Sequence, residues 1–450
     1  MWSSARRWSR LLRCHRQCRT EPPWAGCGCA PPRQVAAVYC AVPWVVGCDG
    51  AHSFVRKAIN IPFEGERYPE AFNLADVVMT GAPPEAQNHI LLFLADRGPL
   101  FMAPLAQPHQ YRLIAAEPAG SAAIKRDDPT LTDVHAWWQD RVQYPPAQNI
   151  NILQATWLSR FTIHRRMVSR LRDQRVLLAG DAAHIHSPAG AQGMNGGIQD
   201  AINLGWKLAL VMHGRAQEAL LDTYAEERLP ITHTVLRATH LFTKMATVQP
   251  KGLRMLRNRI MGIVLNTPLQ RHAVKIAAGL TVHYCRSSLV CSRQKAVVPR
   301  VAAWFARRRL LRAGERAPDV VFGPDGQRLY TLLHHPEHTV LIFTGTYPTA
   351  STLEQAATLA RRLMREYAAE IQCYIITVQQ PSATTTNSEA STVWDGDRNA
   401  HHQYGMQKAG VCLVRPDRYI ACRTDTLDAT ALRTVLARVF GHERIMTPHA

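Results

Sequence analysis

The residues of this 450-residue chain whose types and spacing could do chemistry cluster at residues 175–197, RVLLAGDAAHIHSPAGAQGMNGG. An apolar run ending at Ala179 reads as a buried strand, and Gly180 and Asp181 follow at its carboxyl end. Beyond a glycine-rich loop, a helix is expected from Gly196. Its apolar residues Ile198, Ala201, Ile202, Leu208, Ala209 and Met212 recur as a one-sided stripe that includes Gly205. Ligands of α/β folds sit beyond the carboxyl ends of the strands. There Asp181 could accept hydrogen bonds from sugar-like hydroxyls. The amides of Gly193, Met194 and Asn195 would face outward at the positive end of the helix dipole, where negative charge is stabilised. Glycines 190, 193, 196 and 197 would let a flat ligand approach the backbone closely. A metal reading of Asp181, His184 and His186 is weaker, since the two histidines lie two apart in a loop with no further partner in sequence.

Several elements must position that stretch. Residues 42–60 read as a strand, a tight turn at Asp49-Gly50 and a short helix with Phe54, Val55 and Ala58. Short apolar runs at 72–79, 89–95, 100–104 and 111–116 suggest one antiparallel sheet. A helix with Val134, Trp137 and Trp138 and a strand near 152–157 follow, and residues 218–310 read as mostly helical. Past Ala317 strands and helices alternate, in the order β-α-β-α-β-β-α. The expected domains are 1–40 as an unstructured or non-native lead-in, 41–311 as the ligand-binding part, and 312–450 as a separate C-terminal domain.

Composition narrows the class. Apolar residues are 46% and charged residues 19%, which is globular rather than disordered. The longest apolar run, residues 36–48, is too short to span a membrane and contains Pro43. Eleven cysteines are too sparse for a secreted disulfide scaffold, so a cytoplasmic protein is expected. Lys and Arg number 53 against 34 acids, a net charge of +19. The excess sits in the first twenty residues and in residues 251–316, where Glu315 is the only acid. The second segment reads as a solvated helical surface; no nucleic-acid-reading module accompanies it, and neither nucleic acid nor membrane is expected as a partner.

Residues 175–213 closely resemble the second FAD-contacting motif of the flavin-dependent aromatic hydroxylases, single-component monooxygenases that include phenol hydroxylase and 3-(3-hydroxyphenyl)propionate hydroxylase. VVGCDGAHSFVR at 45–56 resembles that family's Asp-Gly motif, and LDTYAEERLP at 221–230 its downstream helix entry. The C-terminal pattern is similar to the thioredoxin-like domain of the phenol-hydroxylase branch, and the likeness covers residues 42–445 in the family's order. It implies an α/β FAD-hydroxylase fold with an inserted antiparallel substrate sheet. It also implies FAD reduced by NAD(P)H, oxygen adding to the flavin, and a hydroxyl passed to a phenolic substrate. By carry-over, Asp181 and Gly180 would bind the ribityl chain, and Pro188, Gly190 and Gly193 would line the isoalloxazine. The amides of Met194 and Asn195 would stabilise charge on its pyrimidine edge. Asp49, Gly50 and Arg56 would serve FAD and nicotinamide-nucleotide binding, and the strands between Ala71 and Trp157 would wall the substrate pocket. No catalytic base is assigned, and no metal.

One family feature is missing from the sequence. Such proteins open with a βαβ unit carrying G-x-G-x-x-G. The nearest phrase here, Gly26-Cys-Gly28, lacks a preceding apolar strand and runs into Pro31-Pro32. The expectation is therefore an N-terminally truncated hydroxylase that binds FAD weakly or not at all. Its alternative is a catalytically inactive remnant serving as an assembly protein. The C-terminal domain has no C-x-x-C after Phe343. Cys373, Cys412 and Cys422 read as buried packing residues, and a homodimer-forming role is expected of the domain.

Overall fold

The computed structural model describes residues 41–117, 128–142, 150–187, 193–248, 250–265, 267, 275, 279–292, 311–322, 326–380 and 391–441. β1 (Val45–Gly47) leads through the Asp49-Gly50 turn to α1 (Phe54–Ala58). Four strands follow, β2 (Glu64–Thr80), β3 (Leu91–Ala95), β4 (Gly98–Pro104) and β5 (Gln110–Glu117), then α2 (Leu131–Arg141) and β6 (Asn151–Met167). The short strands β7 (Arg172–Asp173), β8 (Val176–Leu178) and β9 (His184–Ile185) precede α3 (Gly193–Met212), α4 (Asp222–Ala246) and α5 (Lys251–Leu265).

Two sheets are built from this part. In the first, β1 pairs in parallel with β8, Gly47 opposite Leu178, and β7 closes the far edge. The second has the order β3-β4-β5-β2-β6-β9 and is antiparallel throughout, as the sequence suggested. Its two long strands exceed the apolar runs that announced them. β2 and β6 pair from Glu64 opposite Met167 to Thr80 opposite Asn151, so the ladder carries polar ends that hydrophobicity does not reveal. One face, with Ala75, Val77, Met79 and Leu113, is sealed by Val134, Trp137 and Trp138 of α2. The α2 start is fixed by a reciprocal capping box between Thr130 and Asp133.

α3 departs from expectation in two ways. It starts at Gly193, about one turn before Gly196, and it is turned inside out. The apolar stripe faces outward, with Ile198 and Ile202 about half exposed, while Asp200, Asn203 and Lys207 are buried. Charged side chains lie inside a fold only when partners await them, and here they do.

The helical reading of residues 218–310 does not hold at their described end. Residues 279–290 run through turns, and β10 (Cys291–Ser292) joins the C-terminal sheet ahead of the expected boundary near Arg312. That part contains the hairpin β11 (Val321–Phe322) and β12 (Gln327–Arg328), the one-turn α6 (Leu329–Leu332), β13 (His338–Phe343), α7 (Ala350–Glu366) and β14 (Ile371–Thr377). β15 (Ser391–Trp394), α8 (Asn399–Tyr404), β16 (Gly410–Val414), β17 (Ile420–Thr424) and α9 (Thr430–Phe440) complete it. The sheet order is β10-β17-β16-β13-β14-β15. β15 is a strand that the sequence reading did not assign, and it pairs in parallel with β14. Cys373, Cys412 and Cys422 are buried as the sequence implied, and burial pushes the Cys373 and Cys412 thiols up to about 12.

The C-terminal part is joined to α3 and α4 by buried charges. Arg415 donates to both oxygens of Glu227, and its Nε reaches Asp417 at 3.0 Å. Lys207 Nζ bonds Glu227 at 2.8 Å, Asn203 Nδ2 bonds it at 2.7 Å, and Trp206 Nε1 donates to Asp417 at 3.2 Å. Burial brings the Lys207 ammonium down to about 8 against the pull of Glu227. Burial alone would raise the Glu227 carboxyl, but Arg415 and Lys207 hold it well below its usual range. Arg415→Met would leave Glu227 and Asp417 short of a cation, costing about 3–5 kcal/mol in urea unfolding, and adding Glu227→Met should recover part of that loss.

Candidate active site

The turns after β1 and β8 lie side by side because their strands are parallel neighbours. Gly50 adopts φ +81°, which lets the chain reverse into α1. Asp49 Oδ2 accepts from the Phe54 and Val55 amides at 2.7 and 3.1 Å, so this carboxylate anchors α1. Burial alone would raise the Asp49 carboxyl, but bonds from Ser53 and from the Val55 and Phe54 amides hold it below its usual range. Arg56 is 4% exposed. Its Nη2 donates to the Ala51 carbonyl and its Nη1 to the Ala182 carbonyl, both at 2.8 Å, and Phe63 lies 4.0 Å from its guanidinium. The guanidinium therefore ties the two turns together, an arrangement in which it faces backbone rather than an open phosphate site.

The second turn is fastened to α3 by Asp200. One oxygen accepts from the Gly180 amide at 3.0 Å and from His184 Nε2 at 2.7 Å; the other accepts from Arg228 Nε at 2.6 Å. Burial alone would raise this carboxyl, but the His184 bond and the Arg228 charge keep it below its usual range. Arg228 continues to the Gly196 carbonyl at 3.2 Å and to the Tyr284 hydroxyl at 3.2 Å. The Tyr284 ring in turn lies tilted against that of Tyr419 of the C-terminal part, 4.3 Å between centroids, so that part reaches the α3 start through two side chains. Gly180 has φ +59°, and a Cβ on Gly197 would lie 3.3 Å from its Cα, so turn and helix touch backbone to backbone.

What stays open beside this frame fits a flavin. Asp181 is exposed, and its carboxylate accepts no hydrogen bond from the described residues. α3 begins at Gly193, so the amides of Gly193, Met194 and Asn195 belong to the first turn, which has no partners within the helix. No atom lies within 4 Å of where a Cβ would stand on Gly193, and Met194 is 78% exposed. A sugar-chain acceptor next to helix-start amides is the group set a ribityl chain and an electron-rich ring edge require. Pro188 and Gly190 lie outside the described residues. Among the described residues, no group of three His, Cys, Asp or Glu side chains could hold a metal ion, and no helix is long and apolar enough to cross a membrane.

A cavity of about 190 Å³ opens beside the helix start, lined by His186, Asn195, Gln199, Thr232, Val235 and Thr281 among others. Sequence reading weighed His186 only as a metal ligand. Its Nδ1 lies 2.9 Å from the Ser187 carbonyl, which makes Nδ1 the donor and leaves Nε2 with its lone pair. Burial holds its pKa below the ordinary histidine value. Of the expected substrate sheet, the face away from α2 carries Phe72 stacked on Phe161 at 6.1 Å and a bidentate Arg112–Asp76 pair at 2.7 and 2.8 Å. That face is mixed rather than purely apolar.

Framework and ligand-facing acids should separate in a stability experiment. Asp200→Ala leaves Arg228 buried without its carboxylate and should cost about 3–5 kcal/mol, whereas Asp181→Ala should stay within about 0.5 kcal/mol of wild type in the same urea titration.

Comparison with known proteins agrees with this geometry. Residues 37–239 match the family described as FAD binding domain, and residues 311–442 match the one described as aromatic-ring hydroxylase, C-terminal. The chain is 30% identical over 403 residues to 6-methylpretetramide 4-monooxygenase of Streptomyces rimosus, covering 87% of this chain and 65% of that protein. It is 29% identical over 383 residues to pentachlorophenol 4-monooxygenase of Sphingobium chlorophenolicum, covering 84% of this chain and 65% of that one. It thus spans less than two thirds of those relatives' length. Among solved structures, OxyS anhydrotetracycline hydroxylase from Streptomyces rimosus superposes with a TM-score of 0.60 at 30% identity, covering 89% of this chain and 69% of that one. With the two turns, the inverted helix and a C-terminal match in the same order, the chain belongs to the family of FAD-binding aromatic-ring hydroxylases.

Proposed function

We propose that this chain is a monooxygenase that hydroxylates a phenolic aromatic substrate, using FAD, NAD(P)H and O₂. The observation that carries the reading is the juxtaposition of an exposed Asp181 and the start of α3, with its exposed Met194, at the carboxyl ends of β1 and β8. The names of the two relatives above, both monooxygenases, favour it over a non-catalytic assembly protein. When bound, FAD would supply the redox chemistry, taking electrons from NAD(P)H and delivering one oxygen atom of O₂ to the ring.

The protein's part is to bind, orient and manage a proton. Asp181 would accept from ribityl hydroxyls, and the Met194 and Asn195 amides would stabilise negative charge on the ring's pyrimidine edge. Arg56 and Asp200 would act one step back, by holding the turns and the helix in register. The G-x-G-x-x-G loop, which cradles a pyrophosphate in this family, has no counterpart in the sequence. The contacts proposed here therefore concern the ribityl and ring half of the cofactor.

The cavity lined by His186 is the proposed substrate site. An engineered apolar cavity of about 150 Å³ accepts benzene, so about 190 Å³ suits a single aromatic ring. A ring is activated toward oxygen transfer when its phenol loses a proton, and His186 Nε2 is a neutral acceptor at the cavity wall. Because burial lowers the His186 pKa, its basic form persists to lower pH than that of an ordinary histidine.

Product formation from a panel of monohydric phenols, measured with added FAD and NADH or NADPH, tests the proposal. The expected result is ring hydroxylation with an acid limb of kcat below the ordinary histidine value of about 6.5. His186→Gln should lower kcat about 100-fold or more and abolish that limb, with KM changed less. NAD(P)H consumption with no hydroxylated product from any phenol would contradict it.

A further inference from the structure

The surface formed by α4 and α5 has an unusual composition. No Asp or Glu stands between Glu227 and Glu315 in the sequence. On α5 the residues turned inward are arginines. Arg254 pairs with Asp96 at 3.0 Å, and Arg257 Nη1 donates to the Ala246 carbonyl, the last residue of α4, at 2.8 Å. The residues turned outward are Leu253, Leu256, Ile260 and Ile263, spaced i, i+3, i+7 and i+10 along one stripe. Leu241 and Met245 are exposed on the end of α4 that Arg257 holds, and all six side chains are 43–60% exposed. Lys244, Lys251 and Arg259 are exposed among them.

A surface of this make-up leaves large apolar side chains in water and carries more cations than anions, Asp96 being held by Arg254. Sequence composition alone read this segment as a solvated charged face, but the half-exposed leucines and isoleucines are not explained by solvation. A second copy of the chain is a poor cover. A two-fold dimer through this face would set two cation-rich stretches, residues 241–263 of each copy, against each other. A lipid bilayer with anionic headgroups satisfies both features, since the stripe can enter the headgroup boundary while the flanking cations meet phosphate.

We propose that α4 and α5 form a docking surface for anionic membranes, seating the protein on a bilayer without crossing it. The proposal is independent of the catalytic reading. The full chain is co-sedimented with vesicles of phosphatidylcholine alone, and with vesicles that also contain phosphatidylglycerol. Binding is expected only to the phosphatidylglycerol vesicles, weakening as salt shortens the reach of the charges. The exposed pair Leu256→Glu with Ile260→Glu should weaken partitioning about tenfold or more, and Lys251→Glu with Arg259→Glu should do so by a similar factor. Thermal unfolding of each pair checks that the fold survives; the charge-reversal pair decides the matter if the apolar pair does not fold. Absence of binding, equal binding to both vesicle types, or variants that bind like wild type would overturn the proposal. So would a dimer in lipid-free solution that the Leu256→Glu, Ile260→Glu pair converts to monomer.

Discussion

A single buried carboxylate organises the candidate site. Asp200 bonds the Gly180 amide, His184 and Arg228 at once, and each bond locates a different element. The first fixes the turn bearing Asp181, the second fixes the strand leading to the cavity, and the third fixes the carbonyl of Gly196 through the same guanidinium. A carboxylate this deep is stable only because three donors converge on it. Asp181 and Met194 can then remain exposed, since neither is needed to hold the turn and helix in register. Arg56 repeats the device on the other side, joining the two turns through their carbonyls.

The same logic extends to the C-terminal part. Glu227 and Arg228 are consecutive on α4, and one faces Arg415 while the other faces Asp200. A displacement of the C-terminal part would therefore be felt one residue away from the site's own framework. Tyr284 adds a second link, accepting from Arg228 and lying tilted against Tyr419. The apolar packing is shared as well, because Trp206, Leu220 and Leu289 belong to the core that contains Val340, Leu413 and Leu436. The C-terminal part is thus fastened to the site by charge, ring and core together.

Much of this was legible in the sequence, and what was not has physical reasons. The Asp49-Gly50 turn, the strand before Asp181, the antiparallel sheet and most C-terminal elements follow from turn chemistry and apolar periodicity. The orientation of α3 does not. Its apolar stripe looked like the inner face, yet Asp200, Asn203 and Lys207 are inside, because their partners arrive from α4 and from Arg415, far away in sequence. The resemblance implied a cofactor role for Arg56, and only three dimensions reveal the carbonyls of Ala51 and Ala182 beside it. β15 was hidden by short length and polar residues, and His186 because it was weighed only as a metal ligand with Asp181 and His184 and then set aside. His184 is committed to Asp200, while His186 bonds the Ser187 carbonyl instead.

The account stands or falls on where a flavin sits. A crystal structure of the full chain grown with excess FAD is the most direct measurement. The account predicts the ribityl chain within hydrogen-bond reach of Asp181 and the pyrimidine edge of the ring against the amides of Met194 and Asn195. Flavin density elsewhere on the molecule, or helix-start amides covered by protein with no room for a ring, would contradict it.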